Sequence, residues 1–431
     1  MTTASVDASA ALLDSRPRLR GDVVIGPGLV KGAGTVHHLK DPRTGWYFRV
    51  GPREAYLIGR LDGTRTLAEI GAGYAERFGR RVDVNGWTQL LGMLATRRLL
   101  VGTDDEAELA RMAADAKRRA RSGQTLLKAR LPLVDPDRFL GRLLPRVRPL
   151  FSPWVVVPAL LAIVITELAI LLNAATLADE AAGMWGSPPI VAGVLAVIWL
   201  NLAAHEVAHG LTCRHFGGQV PEIGVMWRFP LFFPYCKADD VMLFAARRER
   251  VLVAFAGIYA SLLLIVPFAV AYPLLDPGPL RSATAGIVLY GSAAALLNLI
   301  PFLQLDGYFM ATHALDMVDM RTESYGFLRQ VARRVLRRPG PYPVYPRRSR
   351  WVYGVYGISS LLFGLGLAAT MLGYWIGQAL TRSPLSPTTN VLLAVVGAAA
   401  GAAVYLWRRR RRGLAAPGKP APGEPMPGEP G

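Results

Sequence analysis

Two histidines and a glutamate near the middle of the chain have the spacing of a metal site. His205 and His209 are four positions apart, and Glu206 directly follows the first of them. Residues four apart lie on one face of an α-helix, so both imidazoles can reach one cation. A metal held by two imidazoles and a carboxylate keeps a tetrahedral position for water, and Glu206 is placed to act as general base. Such a metal would acidify that water and polarise a peptide carbonyl.

The apolar setting of these residues strengthens the prediction. A five-residue pattern of this kind arises by chance in soluble chains, where it can form an exposed helix face. Within an apolar helix, two imidazoles and a carboxyl group are costly and are retained where they serve a function. Two histidines with one carboxylate favour zinc over other divalent ions, so the sequence predicts one Zn²⁺ ion.

The third ligand is expected at the end of a later apolar segment. Asp306 follows a stretch in which Pro301 should break the helix, and Gly307 should permit the turn that aims the carboxylate. Asn298 begins the same stretch and has two candidate roles. It can donate a hydrogen bond to substrate backbone or to a developing oxyanion, or it can cap the broken backbone.

These residues must be positioned by six apolar runs. Each run is roughly 20 residues long, the length that a helix needs to cross a bilayer. They lie at about 153–175, 189–211, 251–274, 283–303, 351–376 and 389–407. The first 150 residues contain no such run. The sequence therefore predicts an α-helical polytopic membrane protein with about six transmembrane helices in a membrane domain at 151–410. Residues 411–431, rich in Pro, Gly, Ala and Glu, are expected to form a disordered tail.

The net charge of +18 is concentrated in arginines that flank the apolar runs, at 117–148, 321–350 and 408–412. Basic flanks of membrane helices set orientation and contact anionic lipid, so this charge does not indicate nucleic-acid binding. The positive-inside rule puts both termini on the cytoplasmic side of the cell membrane. In that orientation the second and fourth runs both travel inwards, which places Asp306 on the side of His205 and His209.

The sequence near the N-terminus predicts a small α+β domain of winged-helix type at residues 23–104. Val23–Ile25 and 46–50 have strand-like composition, and Thr66 is a candidate cap for a helix that ends at Gly79. Residues 1–22 have no signal-peptide pattern and are expected to be a flexible N-terminus. Residues 105–150 are expected to be a charged, mostly helical connector that is interrupted at Pro132 and Pro145.

The two motifs together resemble the site-2 protease family of intramembrane zinc metalloproteases. That family combines a membrane HExxH with a distant NxxPxxxLDG, and this chain carries HEVAH from His205 and NLIPFLQLDG from Asn298. The resemblance covers roughly residues 150–376. It implies the three ligands His205, His209 and Asp306, with Glu206 as the catalytic base.

Two further stretches refine the resemblance. Residues 234–240, together with 247–248 and 256–257, are similar to a subgroup of peptide zinc metalloproteases. Residues 23–104 resemble PqqD-like domains, the peptide-recognition modules of ribosomal peptide-modifying systems, through LDGTRTLAEI from Leu61 and LGMLATRRLL from Leu91. In such modules an extended leader peptide adds to a sheet edge. A scaffold domain without a ligand is the alternative.

The expected function is endopeptidase cleavage near the cytoplasmic membrane face, removing the leader of a ribosomally made precursor peptide. One alternative is intramembrane proteolysis of a membrane-bound regulatory protein, and another is peptide binding or export without proteolysis. Glu167 in the first apolar run either faces the active-site cavity or packs as a neutral group in the bundle. The sequence leaves the substrate, cleavage site and oligomeric state open.

Overall fold

The computed structural model describes residues 3–103, 105–122, 128–134, 136–228, 231–338, 340 and 343–382. The sixth predicted span at 389–407 and the tail at 411–431 lie outside these residues. The chain divides into two compact units, one built from residues up to Asp319 and one beginning at Met320.

A three-stranded antiparallel sheet with order β1-β2-β3 forms one side of the N-terminal domain. Its strands are β1 (Val24–Lys31), β2 (Gly34–Asp41) and β3 (Trp46–Val50). The predicted strand at 46–50 is confirmed. The first predicted strand extends to residue 31, and β2 was not predicted, because its polar and charged residues weaken the alternation by which strands are recognised.

Three helices cover the sheet: α2 (Pro52–Ile58), α3 (Leu67–Phe78) and α4 (Val84–Thr96). Thr66 and Glu69 form a reciprocal capping box at the start of α3, and Gly79 ends the helix in the left-handed region at φ 66°. The predicted cap and the predicted end are therefore both confirmed. Sheet and helices share one core, whose buried side chains include Leu39, Phe48, Ile58, Leu67, Ile70, Trp87, Leu94 and Leu99.

The first 22 residues contain structure that the sequence did not predict. Thr3–Asp14 forms helix α1, and Leu12 and Leu13 pack against the core of the N-terminal domain. Arg20 is buried, forms an ion pair with Asp41 and donates to the carbonyl of Arg98 at 2.7 Å. A buried guanidinium needs such partners, and these bonds attach the segment to the domain.

The connector contains a strand between two helices. Its elements are α5 (Glu106–Ser122), β4 (Lys128–Val134) and α6 (Pro136–Val147). The break expected at Pro145 is wrong, because α6 continues through that residue. The helix is interrupted at Pro132, which lies within β4, next to a register irregularity. A proline is tolerated there because a bulge frees one position from the hydrogen-bonded ladder.

Within the described residues, five helices are long and apolar enough to cross a membrane. The first four belong to the first unit, where α8 (Ala174–Ala182) links two of them; they are α7 (Pro153–Leu172), α9 (Pro188–His215), α10 (Arg247–Ala271) and α11 (Pro279–Leu297). The fourth predicted span ran to residue 303, but α11 ends at Leu297, ahead of Pro301. The chain then turns and enters α12 (Asp306–Ala314).

A β-hairpin follows α9 and lies alongside it. Strands β5 (Glu222–Arg228) and β6 (Leu231–Lys237) pair antiparallel, and β4 adds to the other edge of β5. The indole nitrogen of Trp199 donates to the carbonyl of Phe232 at 3.0 Å, which attaches β6 to α9. The apolar stretch between α9 and α10 is therefore a sheet packed on a candidate spanning helix.

The second unit consists of α13 (Met320–Val335) and α14 (Arg347–Arg382), of which α14 is the fifth candidate span. The two helices pack closely at Gly357, where an added Cβ would approach Leu328 to within 2.8 Å. The hydroxyls of Tyr325 and Ser360 share a hydrogen bond of 2.7 Å at the same contact.

Two buried histidines should make the first unit sensitive to mild acid. Burial, reinforced by the neighbouring positive charge of Arg49, lowers the pKa of His38 from 6.5 to about 4. Burial, with Arg250 nearby, lowers the pKa of His313 to about 4. The unfolded chain takes up protons first, so stability is lost as pH falls from about 6.5 towards 4. Each histidine should cost about 2 kcal/mol between pH 7 and pH 5.

Denaturation of the detergent-solubilised protein at pH 7, 6 and 5 measures this loss. Replacing both residues, as His38→Gln with His313→Gln, should remove most of the pH dependence in that interval. If the double variant lost stability in parallel with the wild type, other groups would be responsible.

Candidate metal centre

Helices α9 and α12 bring all three predicted ligands together. His205 Nε2 lies 2.8 Å from Asp306 Oδ2, and His209 Nε2 lies 3.4 Å from Asp306 Oδ1. One ligand atom from each residue lies within 4.8 Å of the others, and this is the only such group of three in the described part of the chain. Ligands bound to zinc at 2.0–2.1 Å in a tetrahedron are about 3.3 Å apart. The two histidine–aspartate separations, 2.8 and 3.4 Å, lie on either side of that value.

Space and unmet bonding capacity at this position fit a cation. Oδ2 of Asp306 is buried and accepts no aligned hydrogen bond from the described residues. A Cβ built on Gly257 of α10 would lie 2.5 Å from Nε2 of His205 and from Nε2 of His209. The absent side chain of Gly257 therefore leaves a gap between the two ligand nitrogens, and the donor set matches the ligands that zinc prefers.

The outer ring nitrogens of both histidines are held by α10. Nδ1 of His209 lies 2.7 Å from the carbonyl oxygen of Val253, so this nitrogen carries the hydrogen and leaves a lone pair on Nε2. Nδ1 of His205 lies 3.0 Å from the hydroxyl of Ser261, which can accept in the same way. Such outer bonds orient metal-binding imidazoles and raise their basicity.

These contacts lie on one face of α10. Val253, Gly257 and Ser261 are each four residues apart, so they form a row along the helix. The carbonyl of the first and the hydroxyl of the last hold the two imidazoles, and the glycine between them leaves a gap beside both Nε2 atoms. The row therefore aligns α10 with α9 at the metal centre.

Glu206 lies beside the ligands but is held by a different element. Its Oε2 accepts a hydrogen bond of 2.9 Å from the backbone amide of Cys236 on β6. The bond involves one carboxylate oxygen and leaves the other available. This contact connects the hairpin to the residue that the sequence predicts as general base.

A close backbone turn delivers Asp306 to the histidines. The carbonyl of Asn298, just after α11, accepts the amide hydrogen of Gly307 at 2.6 Å. A Cβ on Gly307 would clash with the carbonyl of Leu299, so only glycine allows this approach. Asp306 is the first residue of α12, so this turn fixes the position of its carboxylate.

The side chain of Asn298 donates to the carbonyl of Ala294 at 3.3 Å, one helical turn back. In the structure Asn298 thus satisfies broken backbone through both its side chain and its carbonyl. Glu167, the other residue with an open role, accepts a hydrogen bond from the hydroxyl of Ser292 on α11, and its second oxygen is buried with no hydrogen-bond partner among the described residues. Glu167 is not among the ligands.

The groups that hold the two imidazoles and Glu206 were not predicted from the sequence. Ser261, the Val253 carbonyl and the Cys236 amide act across helices or through backbone, where residue type carries little signal. Small residues at 257 and 261, spaced by one turn in an apolar helix, were the available indication. Comparison of the chain with protein-family models, curated proteins and solved structures gives no match.

Proposed function

We propose that the chain is a membrane-embedded zinc metalloendopeptidase of the site-2 protease type. The observation that carries the proposal is the convergence of His205, His209 and Asp306, from segments about 100 residues apart, around a gap beside Glu206. Three polar side chains would be costly in an apolar bundle without a ligand to share. The resemblance of HEVAH and NLIPFLQLDG to that family supports the same assignment.

In this proposal His205, His209 and Asp306 hold one zinc ion. The ion supplies Lewis acidity towards a peptide carbonyl and acidifies a water molecule. Glu206 accepts the proton of the attacking water on its free oxygen and passes it to the leaving amine. The Cys236 amide orients Glu206 through the other oxygen. Asn298 holds the turn that aims Asp306, which favours its backbone role over direct contact with the oxyanion.

The proposed substrate is a ribosomally made precursor peptide whose leader is removed near the cytoplasmic membrane face. The N-terminal domain supports this choice, since its three-stranded sheet and helices suit the PqqD-like type of peptide recognition. Both termini lie in the cytoplasm in this proposal, which follows the arginine distribution. Proteolysis of a membrane-bound regulatory protein is the main alternative within the same chemistry.

Replacing Asp306 by alanine should weaken zinc binding by more than about 100-fold, because the third ligand is lost. Zinc affinity is measured by competition with a chelator on the purified full-length protein. Asp179→Ala, an exposed carboxylate of α8, is the control and should bind zinc normally. Mass spectrometry of candidate precursor peptides should show cleavage by the zinc-loaded wild type and none after chelation.

Unchanged zinc affinity in Asp306→Ala would exclude Asp306 as a ligand. Zinc-loaded wild type that leaves every candidate peptide intact, while binding zinc tightly, would favour the binding or export alternative.

A further inference from the structure

The N-terminal domain is joined to the rest of the first unit by a buried carboxylate. Asp240 is 5% exposed and accepts from Lys40 of β2 at 2.6 and 2.7 Å. The hydroxyl of Tyr47 on β3 also donates to it, and so does the backbone amide of Gln219 at 2.7 Å. We call these four residues the Asp240 joint. A buried ion pair with this many bonds fixes the three segments relative to one another.

The Asp240 joint is close in the chain to the histidine side of the metal centre. Asp240 comes four residues after Cys236, whose amide holds Glu206, and Gln219 follows the helix that carries His205 and His209. Movement of the joint would therefore shift β6 and the end of α9 together. Both segments contact the candidate general base or carry ligands.

A second joint attaches the same sheet to the segment after α12. Val30 of β1 pairs in parallel with Met317. Its amide donates to the carbonyl of Asp316 at 2.7 Å, and its carbonyl accepts from Val318 at 2.9 Å. Lys31 lies 2.6 Å from Asp319, and Arg49 of β3 lies 3.1 Å from the same carboxylate. We call this set the Asp319 joint.

The Asp319 joint belongs to the aspartate side of the metal centre. It begins two residues after the end of α12, a nine-residue helix whose first residue is Asp306. Although burial opposes ionisation, the bond from Lys31 and the charge of Arg49 lower the pKa of Asp319 below its ordinary value. The carboxylate is thus held charged between two cations of the N-terminal sheet.

We propose that the N-terminal domain is a clamp that sets the geometry of the metal centre, with Asp240 and Asp319 as positioning residues. At the Asp240 joint, the N-terminal sheet contacts the segment that neighbours Glu206 and the histidines in the chain. At the Asp319 joint, the same sheet contacts the segment that follows Asp306. The ligands come from α9 and α12, which are distant in sequence. A rigid domain that contacts both segments therefore fixes the distance between the histidines and Asp306. The inference rests on the proposed metal site but not on peptide hydrolysis.

Coupling of this kind is reciprocal, because a domain that favours metal binding is itself held in place by the bound metal. Zinc added to the wild type should slow hydrogen–deuterium exchange in β1 and in residues 316–319. Asp319→Asn should abolish this slowing and weaken zinc binding by about 10-fold. Asp62→Asn is the matched control: Asp62 lies in the same domain, and among the described residues its side chain accepts hydrogen bonds only from Thr64 and Arg65.

The measurements use the full-length protein in nanodiscs. Asp319 is 20% exposed at its side chain, so its substitution should leave the fold intact, which exchange in α4 verifies. Asp240→Asn provides a second variant with the same expected direction. Normal zinc affinity in Asp319→Asn, or zinc binding to the wild type without slower exchange at β1, would overturn the clamp and leave the metal centre standing. A wild type that binds no zinc would overturn both.

Discussion

Replacing Glu206 by alanine should lower peptide cleavage by about 100- to 10,000-fold while the purified protein keeps its zinc. Glu206 lies beside the three candidate ligands but accepts its hydrogen bond from the Cys236 amide, and it is not among those candidates. The loss would therefore be of proton transfer and not of the metal. Elemental analysis of the protein and mass spectrometry of the peptide products measure the two effects separately.

Glu206→Gln is the matched control for this experiment. The amide keeps the size of the side chain and can still accept from Cys236, but it cannot take a proton from water. Both variants should be zinc-loaded and inactive. Loss of zinc from either would make Glu206 a ligand, and product formation at the wild-type rate would remove Glu206 from the mechanism.

Gly257→Ala should lower zinc affinity by about 100-fold without changing any polar group. The added methyl carbon would lie 2.5 Å from Nε2 of both histidines, in the space that a shared cation needs. Real Cβ contacts are longer than this, so the imidazoles would have to move apart or the helices would have to separate.

The control for Gly257→Ala is Gly193→Ala in α9, where an added Cβ meets nothing within 4 Å. Zinc affinity by chelator competition should be unchanged in that variant, since alanine suits an exposed helical position. If Gly257→Ala bound zinc as tightly as the wild type, the metal would lie elsewhere than between His205 and His209.

Features decided by neighbouring residues were predictable from the sequence. The cap at Thr66 and the end of α3 at Gly79 depend on a few adjacent positions, and both are as expected. The ligand candidates His205, His209 and Asp306 were found because two of them share a helix face and the third follows a proline-broken span. Their approach in the structure agrees with that prediction.

Features decided by contacts between distant segments were not predictable. Strand β4 forms because it pairs with β5, more than 80 residues later in the chain. The residue types at 128–134 do not indicate that pairing. The hydrogen bonds from α10 to the imidazoles depend on how far α9 and α10 are shifted along each other, and amino-acid composition does not give this shift. The N-terminal helix α1 likewise depends on a core surface that only the folded domain provides.

The two imidazoles are held by chemically different groups, and this makes them unequally open to change. A substitution at position 261 can replace the hydroxyl behind His205 by a carboxylate, an amide or a methyl group. The oxygen behind His209 belongs to the main chain and survives every substitution at position 253. Side-chain substitutions can therefore change the hydrogen-bond partner of His205, while the partner of His209 stays the same.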